Sequence, residues 1–217
     1  MTQPLTLPSQ VRCNRGFGWP FWMVIGIIAP ITVIIVIGTW ESEPGGGLVG
    51  LGIGAAVALL FCVVRAVFLP RLTIDLAQGV LRTRTRTAPF SAIAVIEFVS
   101  EKAGVWATFI DDDGRKLARM SVANTMFAPP TSEQWAALGQ VIHLAAIARG
   151  ASLAQQPPAP GIWVSPARAI DILQAQTAWC SAGHRSSGRQ APAAELTHAS
   201  VALAGQEKRT HAARSPR

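Results

Sequence analysis

Two long apolar runs occupy the first third of the chain, and short alternating stretches follow them. From Gly16 to Trp40 no charged residue occurs (GFGWPFWMVIGIIAPITVIIVIGTW), and a second run, GGGLVGLGIGAAVALLFCVV, stays uncharged until Arg65. Roughly 20 apolar residues suffice to cross a bilayer as a helix. The pattern therefore predicts a two-helix transmembrane hairpin, with spans over residues 17–40 and 47–69 and a short external loop at 41–46. Trp19, Trp22 and Trp40 fall where interfacial aromatic belts belong, and Pro30 predicts a kink that neighbouring helices accommodate. A cleaved signal peptide fits less well, because TWESEPGGG follows the first run where a small-residue cleavage site belongs. Gly45, Gly47 and Gly50 match the dinucleotide-binding spacing, but that fingerprint has meaning only between a strand and a helix. Gly50, Gly54 and Ala58 recur every four residues, which points instead to close packing between helices.

After Pro70 the period changes to two. RLTIDL, a turn at AQG and VLRTRTRT read as a β-hairpin with Leu72, Ile74 and Leu76 on one face. A two-residue turn at Gln78-Gly79 places Asp75 opposite Arg82; a three-residue loop shifts that register by one. Arg82, Arg84 and Arg86 would share one side of a continuous strand, each about 6.6 Å from the next. Such a stripe either contacts anionic lipid headgroups or a partner, or stands as a solvated strand face paired with Asp75 or Glu97. IAVIEFVS, VWATFI and RKLARMSV continue the alternation, with Asp113-Gly114 as a turn signal. The triple aspartate is not an EF-hand loop, since its twelfth position, counted from Asp111, is Val122 rather than glutamate. Thr131 to Gln134 forms a capping box, and Trp135, Leu138, Val141, Ile142 and Ala145 follow at helical spacing up to Gly150. Residues 70–150 thus predict a small cytoplasmic α+β domain, a five-stranded antiparallel sheet capped by one helix, with Trp106 and Trp135 in its core.

This organisation resembles the bacterial membrane-anchored pleckstrin-homology-like proteins of the YcxB-like group. The resemblance covers residues 17–150 and rests on the hairpin of spans, the LTIDLAQGVL strand pair, the DDDG hairpin and the SEQWAAL helix. It implies about seven strands, and a scaffold for protein or lipid contacts with no catalytic residues to carry over.

Beyond Ala151 the chain is rich in Ala, Gln, Pro, Ser, Gly and Arg, so residues 151–217 are expected to be a mostly disordered basic tail. Ser165-Pro166 starts a helical pattern in SPARAIDILQAQTAWC, with Ile172, Leu173, Gln176 and Trp179 on one face, either an interfacial helix or a transient one. The composition agrees with a membrane protein: 50% of residues are hydrophobic and only 14% charged. The formal net charge of +7 lies mainly in the tail, where residues 181–217 carry six basic and two acidic side chains. Arg12 and Arg15 before the first run, and Arg65 and Arg71 around the end of the second, flank an acidic loop, which predicts a multi-pass cell-membrane protein with residues 1–16 and the C-terminus cytoplasmic. Cys13, Cys62 and Cys180 have neither disulfide-framework nor zinc spacing.

No nucleophile with a base, carboxylate pair, P-loop lysine or metal-ligand spacing occurs, and the four histidines lie far from one another. The expectation is a non-enzymatic integral membrane protein without cofactor or metal. It would present a pleckstrin-homology-like module at the inner membrane face and bind protein or anionic lipid. The alternative is a small oligomeric channel or transporter accessory subunit. Expected partners are the bilayer, anionic headgroups and a second copy or another membrane protein, with nucleic acid disfavoured.

Overall fold

The computed structural model describes residues 7–14, 71–102, 104–124, 127–154 and 162–203, together with single helical positions between 26 and 57. Seven strands come before the first described long helix: β1 (Gln10–Cys13), β2 (Leu72–Asp75), β3 (Val80–Thr83), β4 (Thr87–Pro89), β5 (Val95–Glu101), β6 (Gly104–Ile110) and β7 (Lys116–Asn124). Helix α1 (Ser132–Ala148) follows, then β8 (Trp163–Val164), α2 (Pro166–Ser181) and β9 (Ser200–Ala202). The strands form a four-stranded sheet in the order β1-β2-β3-β4 and a five-stranded sheet in the order β7-β6-β5-β9-β8. Every pairing is antiparallel except that of β8 with β9.

Alternation dictates which side chains meet. Val11, Leu72, Ile74 and Leu81 point inward from the first sheet, and Ile96, Phe98, Phe109 and Met120 do so from the second. α1 closes this core with Trp135, Leu138, Val141 and Ile142, all fully buried. Its start is fixed by the capping box: Thr131 Oγ1 accepts from the Gln134 amide while Gln134 Oε1 accepts from the Thr131 amide. The same Gln134 donates through Nε2 to the Arg12 carbonyl at 2.8 Å, so the helix start is pinned to β1 across the sequence. Asn14, at φ +56°, follows the end of β1. Its Oδ1 accepts from the Ser121 amide at 2.7 Å and its Nδ2 donates to the Arg119 carbonyl at 2.9 Å, which joins the first sheet to the β7 edge of the second. Register shifts between β6 and β7 bend those strands around the core.

The membrane architecture expected from the two apolar runs is corrected here. Among the described residues no helix is long and apolar enough to cross a membrane. A span needs about 20 consecutive apolar residues in one helix, and the described fold is instead two sheets with α1 and α2 in an α+β arrangement. The integral membrane role, the channel or transporter alternative and the multi-pass placement with both termini cytoplasmic all rested on that hairpin, and they fall with it. Most of residues 17–40 and 47–69 lie outside the described residues, as do Gly50, Gly54 and Ala58.

The disordered tail is corrected as well, because residues 162–203 fold onto the domain. Ser165 caps α2 by accepting from the Arg168 amide at 3.2 Å, and Ala169, Ile172, Leu173 and Gln176 are buried. α2 packs against α1 at Gly139, where an added methyl would be in ordinary contact with Leu173 Cβ at 3.7 Å. Leu196, Val201 and Leu203 are fully buried in the shared core. Counting large apolar residues underestimates such a segment, because burial of Ala169 and Gln176 beside Ile172 and Leu173 adds to what the large side chains cover.

Candidate anion-binding face

The strand expected to run through Arg86 stops at Thr83. Thr83 and Arg86 close a tight turn: the Thr83 amide donates to the Arg86 carbonyl at 2.8 Å, and the Thr83 hydroxyl accepts from the Arg86 amide at 3.1 Å while donating to its carbonyl at 3.0 Å. β4 then returns beside β3. Arg82 therefore sits on a strand, whereas Arg84 and Arg86 stand on the turn, and all three are exposed. They do not form one straight row.

A different row exists, and it runs across the sheet. The register pairs Arg12 with Thr73, Thr73 with Arg82 and Arg82 with Thr87. Directly opposed residues share a face, so Arg12 and Arg82 stand on the outer side two strands apart, about 10 Å at the backbone. The same register extended by one residue brings Arg71, just before β2, level with Arg84, just after β3. Arg12 and Arg71 are exposed too. Five arginines thus gather on one face and one end of the first sheet, from segments almost 60 residues apart in the chain.

The acidic residue among them is Asp75. It pairs across the strands with Val80 rather than Arg82, because the turn between β2 and β3 has four residues, Leu76 to Gly79, with Gly79 at φ +65°. Arg82 nevertheless leans along the strand until its Nε is 3.4 Å from Asp75 Oδ2, and its Nη2 donates to Gln78 Oε1. Asp75, 1% exposed, also accepts from Gln10 Nε2 at 3.1 Å and from the Gln78 amide at 3.0 Å. One arginine is therefore committed to holding the β2–β3 turn. Arg12, Arg71, Arg84 and Arg86 stand exposed around it.

The other side chains singled out by sequence have structural settings. Trp135 is fully buried and donates to Ser186 Oγ at 3.0 Å. Trp106 is buried on the outer side of the second sheet, with Phe127 edge-on at 5.4 Å and the Arg119 guanidinium 4.8 Å from its ring centre. Asp111 folds the DDDG turn by accepting from the Asp113 and Arg115 amides. Among the described residues no three His, Cys, Asp or Glu side chains gather as a metal ion would require. A pocket of about 70 Å³ lies between Val105, Val122 and Ala123 and the loop from Ser186 to Thr197. That is room for a few waters rather than for a substrate of several hundred Å³.

From sequence Arg12 and Arg71 read only as basic flanks of the apolar runs, because nothing local marks them as neighbours of Arg82. β1 is four residues long, and its partner strand begins 59 positions after its last residue. Alternation over so short a stretch carries almost no signal. Compared with protein-family models, curated proteins and solved structures, the chain matches none.

Proposed function

We propose that the chain is a binding module that holds phosphate groups, carried on a lipid headgroup or free in solution, against the outer face of its first sheet. The observation that carries this reading is the gathering of exposed Arg12, Arg71, Arg84 and Arg86 around Arg82, which is itself anchored on Asp75. Guanidinium groups are planar, permanently charged and matched to phosphate oxygens in pairs. The turn that carries Arg84 and Arg86 is fixed by Thr83, so part of the ordering cost is met before a ligand arrives. Seven antiparallel strands in groups of four and three, followed by a helix, support the likeness to pleckstrin-homology-like modules, in which such a scaffold serves protein or lipid contacts.

The test uses the full chain and a variant with Arg12, Arg71, Arg84 and Arg86 changed to glutamine; Arg82 stays because Asp75 depends on it. Binding is measured to vesicles with and without acidic phospholipid, and to a short polyphosphate in solution. The chain is expected to bind in low salt and to release as salt rises, because exposed charges are screened within roughly 10 Å at 0.1 M. Near an anionic surface each arginine contributes about 1 kcal/mol, so the loss of four is expected to weaken binding on the order of a thousandfold. Binding to acidic vesicles that polyphosphate does not compete away assigns the headgroup; competition assigns phosphate in either form. A folded chain that ignores both ligands in low salt leaves the arginines as a solvated face and overturns the proposal.

A further inference from the structure

The edge of β5 is filled by a segment that binds as an added strand. Residues 198–203 lie antiparallel to residues 94–98: the His198 amide donates to the Phe98 carbonyl at 2.9 Å, the Phe98 amide to the Ala199 carbonyl at 2.8 Å and the Leu203 amide to the Ala94 carbonyl at 2.9 Å. Ala199, Val201 and Leu203 alternate into the core and are buried. Main-chain bonds to a sheet edge with alternate side chains in pockets are the mode by which sheets capture extended peptides. Among the described residues, the two-residue β8 is what covers the outer side of this strand.

What holds the segment before it is different in kind. Ser186 accepts from Trp135 Nε1 through Oγ and from Gln176 Nε2 through its carbonyl, and the Ala193 amide donates to Gln176 Oε1. Leu196 is fully buried. The chain is therefore fixed to α1 and α2 as far as Leu196, and His198, between that anchor and β9, has φ +70°. A side-chain-bearing residue in the left-handed region stores strain. Strain concentrated at a short hinge before a strand favours exchange of that strand between identical chains.

We propose that two copies of this chain exchange residues 199–203, each arm completing the β5 edge of the other. The argument for a second copy as the occupant is complementarity: the small–Val–Leu alternation that fits this groove is carried by every copy, so exchange re-forms the strand's bonds to β5 and its core contacts and gives up the turn bond from the Ala199 amide to the Leu196 carbonyl. What differs between the two states is the hinge, where His198 leaves the left-handed conformation as the arm extends.

The register supplies the test. Glu97 and Ser200 are direct partners, and the Ser200 amide donates outward to Ile162 rather than to β5, so they are a non-hydrogen-bonded pair with backbones close enough for a disulfide. Full-length Glu97→Cys and Ser200→Cys chains are mixed at high concentration, incubated and oxidised, then separated under denaturing, non-reducing conditions. A covalent heterodimer above the background of either variant alone, rising with protein concentration, is expected. Its absence overturns the proposal. Adding His198→Gly to both chains is expected to lower the yield at fixed concentration by roughly fivefold or more, because glycine removes the hinge strain; an unchanged yield overturns the hinge as the driver. Light scattering on the unaltered chain gives an independent reading: a concentration-dependent dimer supports exchange, and a monomer throughout counts against it.

Discussion

Asp75 shows how one buried carboxylate organises a turn. It is 1% exposed and accepts from Gln10, Gln78 and Arg82, while Arg82 is 43% exposed on its own side. Asp75→Ala strands a main-chain donor and a side-chain amide, and is expected to cost roughly 1–3 kcal/mol in chemical denaturation. Arg82→Gln leaves the buried Asp75 carboxylate with only the Gln10 and Gln78 donors and is expected to cost a comparable roughly 1–3 kcal/mol, because an uncompensated buried charge is costly. The double variant should then resemble Asp75→Ala alone; fully additive losses would show that the two do not act as a pair. Gly104 is the second sensitive position. Its φ is +134° and a Cβ there would lie 2.1 Å from the Ala123 carbonyl oxygen, so Gly104→Ala forces β7 away from the β5–β6 turn. A loss of about 2–4 kcal/mol is expected from strain and broken pairing together, and a melting point near that of the parent would contradict this placement. Neither position stands out in the sequence: the Asp75–Arg82 contact survives a register different from the one the turn residues suggest, and Gly104 matters only because of β7.

Elements were legible where a local rule sufficed. The capping box at Thr131, the DDDG turn and the long alternations of β5, β6 and β7 each declare themselves within ten residues or so. β1 and β4, four and three residues long, do not, because their strand character comes from partners distant or tightly turned. α2 lies between these cases: Ser165-Pro166 marks its start, but only the structure shows what its face meets. Ile172 and Leu173 are buried in the shared core, Leu173 beside Gly139 of α1. Leu173→Ala is accordingly expected to cost about 2–5 kcal/mol, the range for a buried leucine whose site does not collapse. A loss below about 1 kcal/mol, read from the denaturation midpoint, would mean that α2 rests loosely on the domain.

At the scale of the molecule, the core draws on segments that lie outside any single stretch of sequence. Residues 70–150 read as a self-contained domain because the alternation begins and ends there, yet β1 contributes Val11 and Cys13 from one side, and α2 and β9 contribute from the other. Ending the chain after Gly150 removes Ile172, Leu173, Leu196, Val201 and Leu203, each 4% exposed or less. At roughly 1.5–3 kcal/mol for each large side chain, the loss is comparable with the whole net stability of an ordinary domain, about 5–15 kcal/mol. It also uncovers the α1 face beside Gly139 and leaves the β5 edge open to pairing with other chains. The shortened chain is therefore expected to lose its cooperative thermal transition, bind a hydrophobic dye and aggregate, whereas one ending after Leu203 keeps the transition. A cooperative transition within a few degrees of the parent in the chain ended at Gly150 would show that α2 and β9 decorate a domain already complete without them.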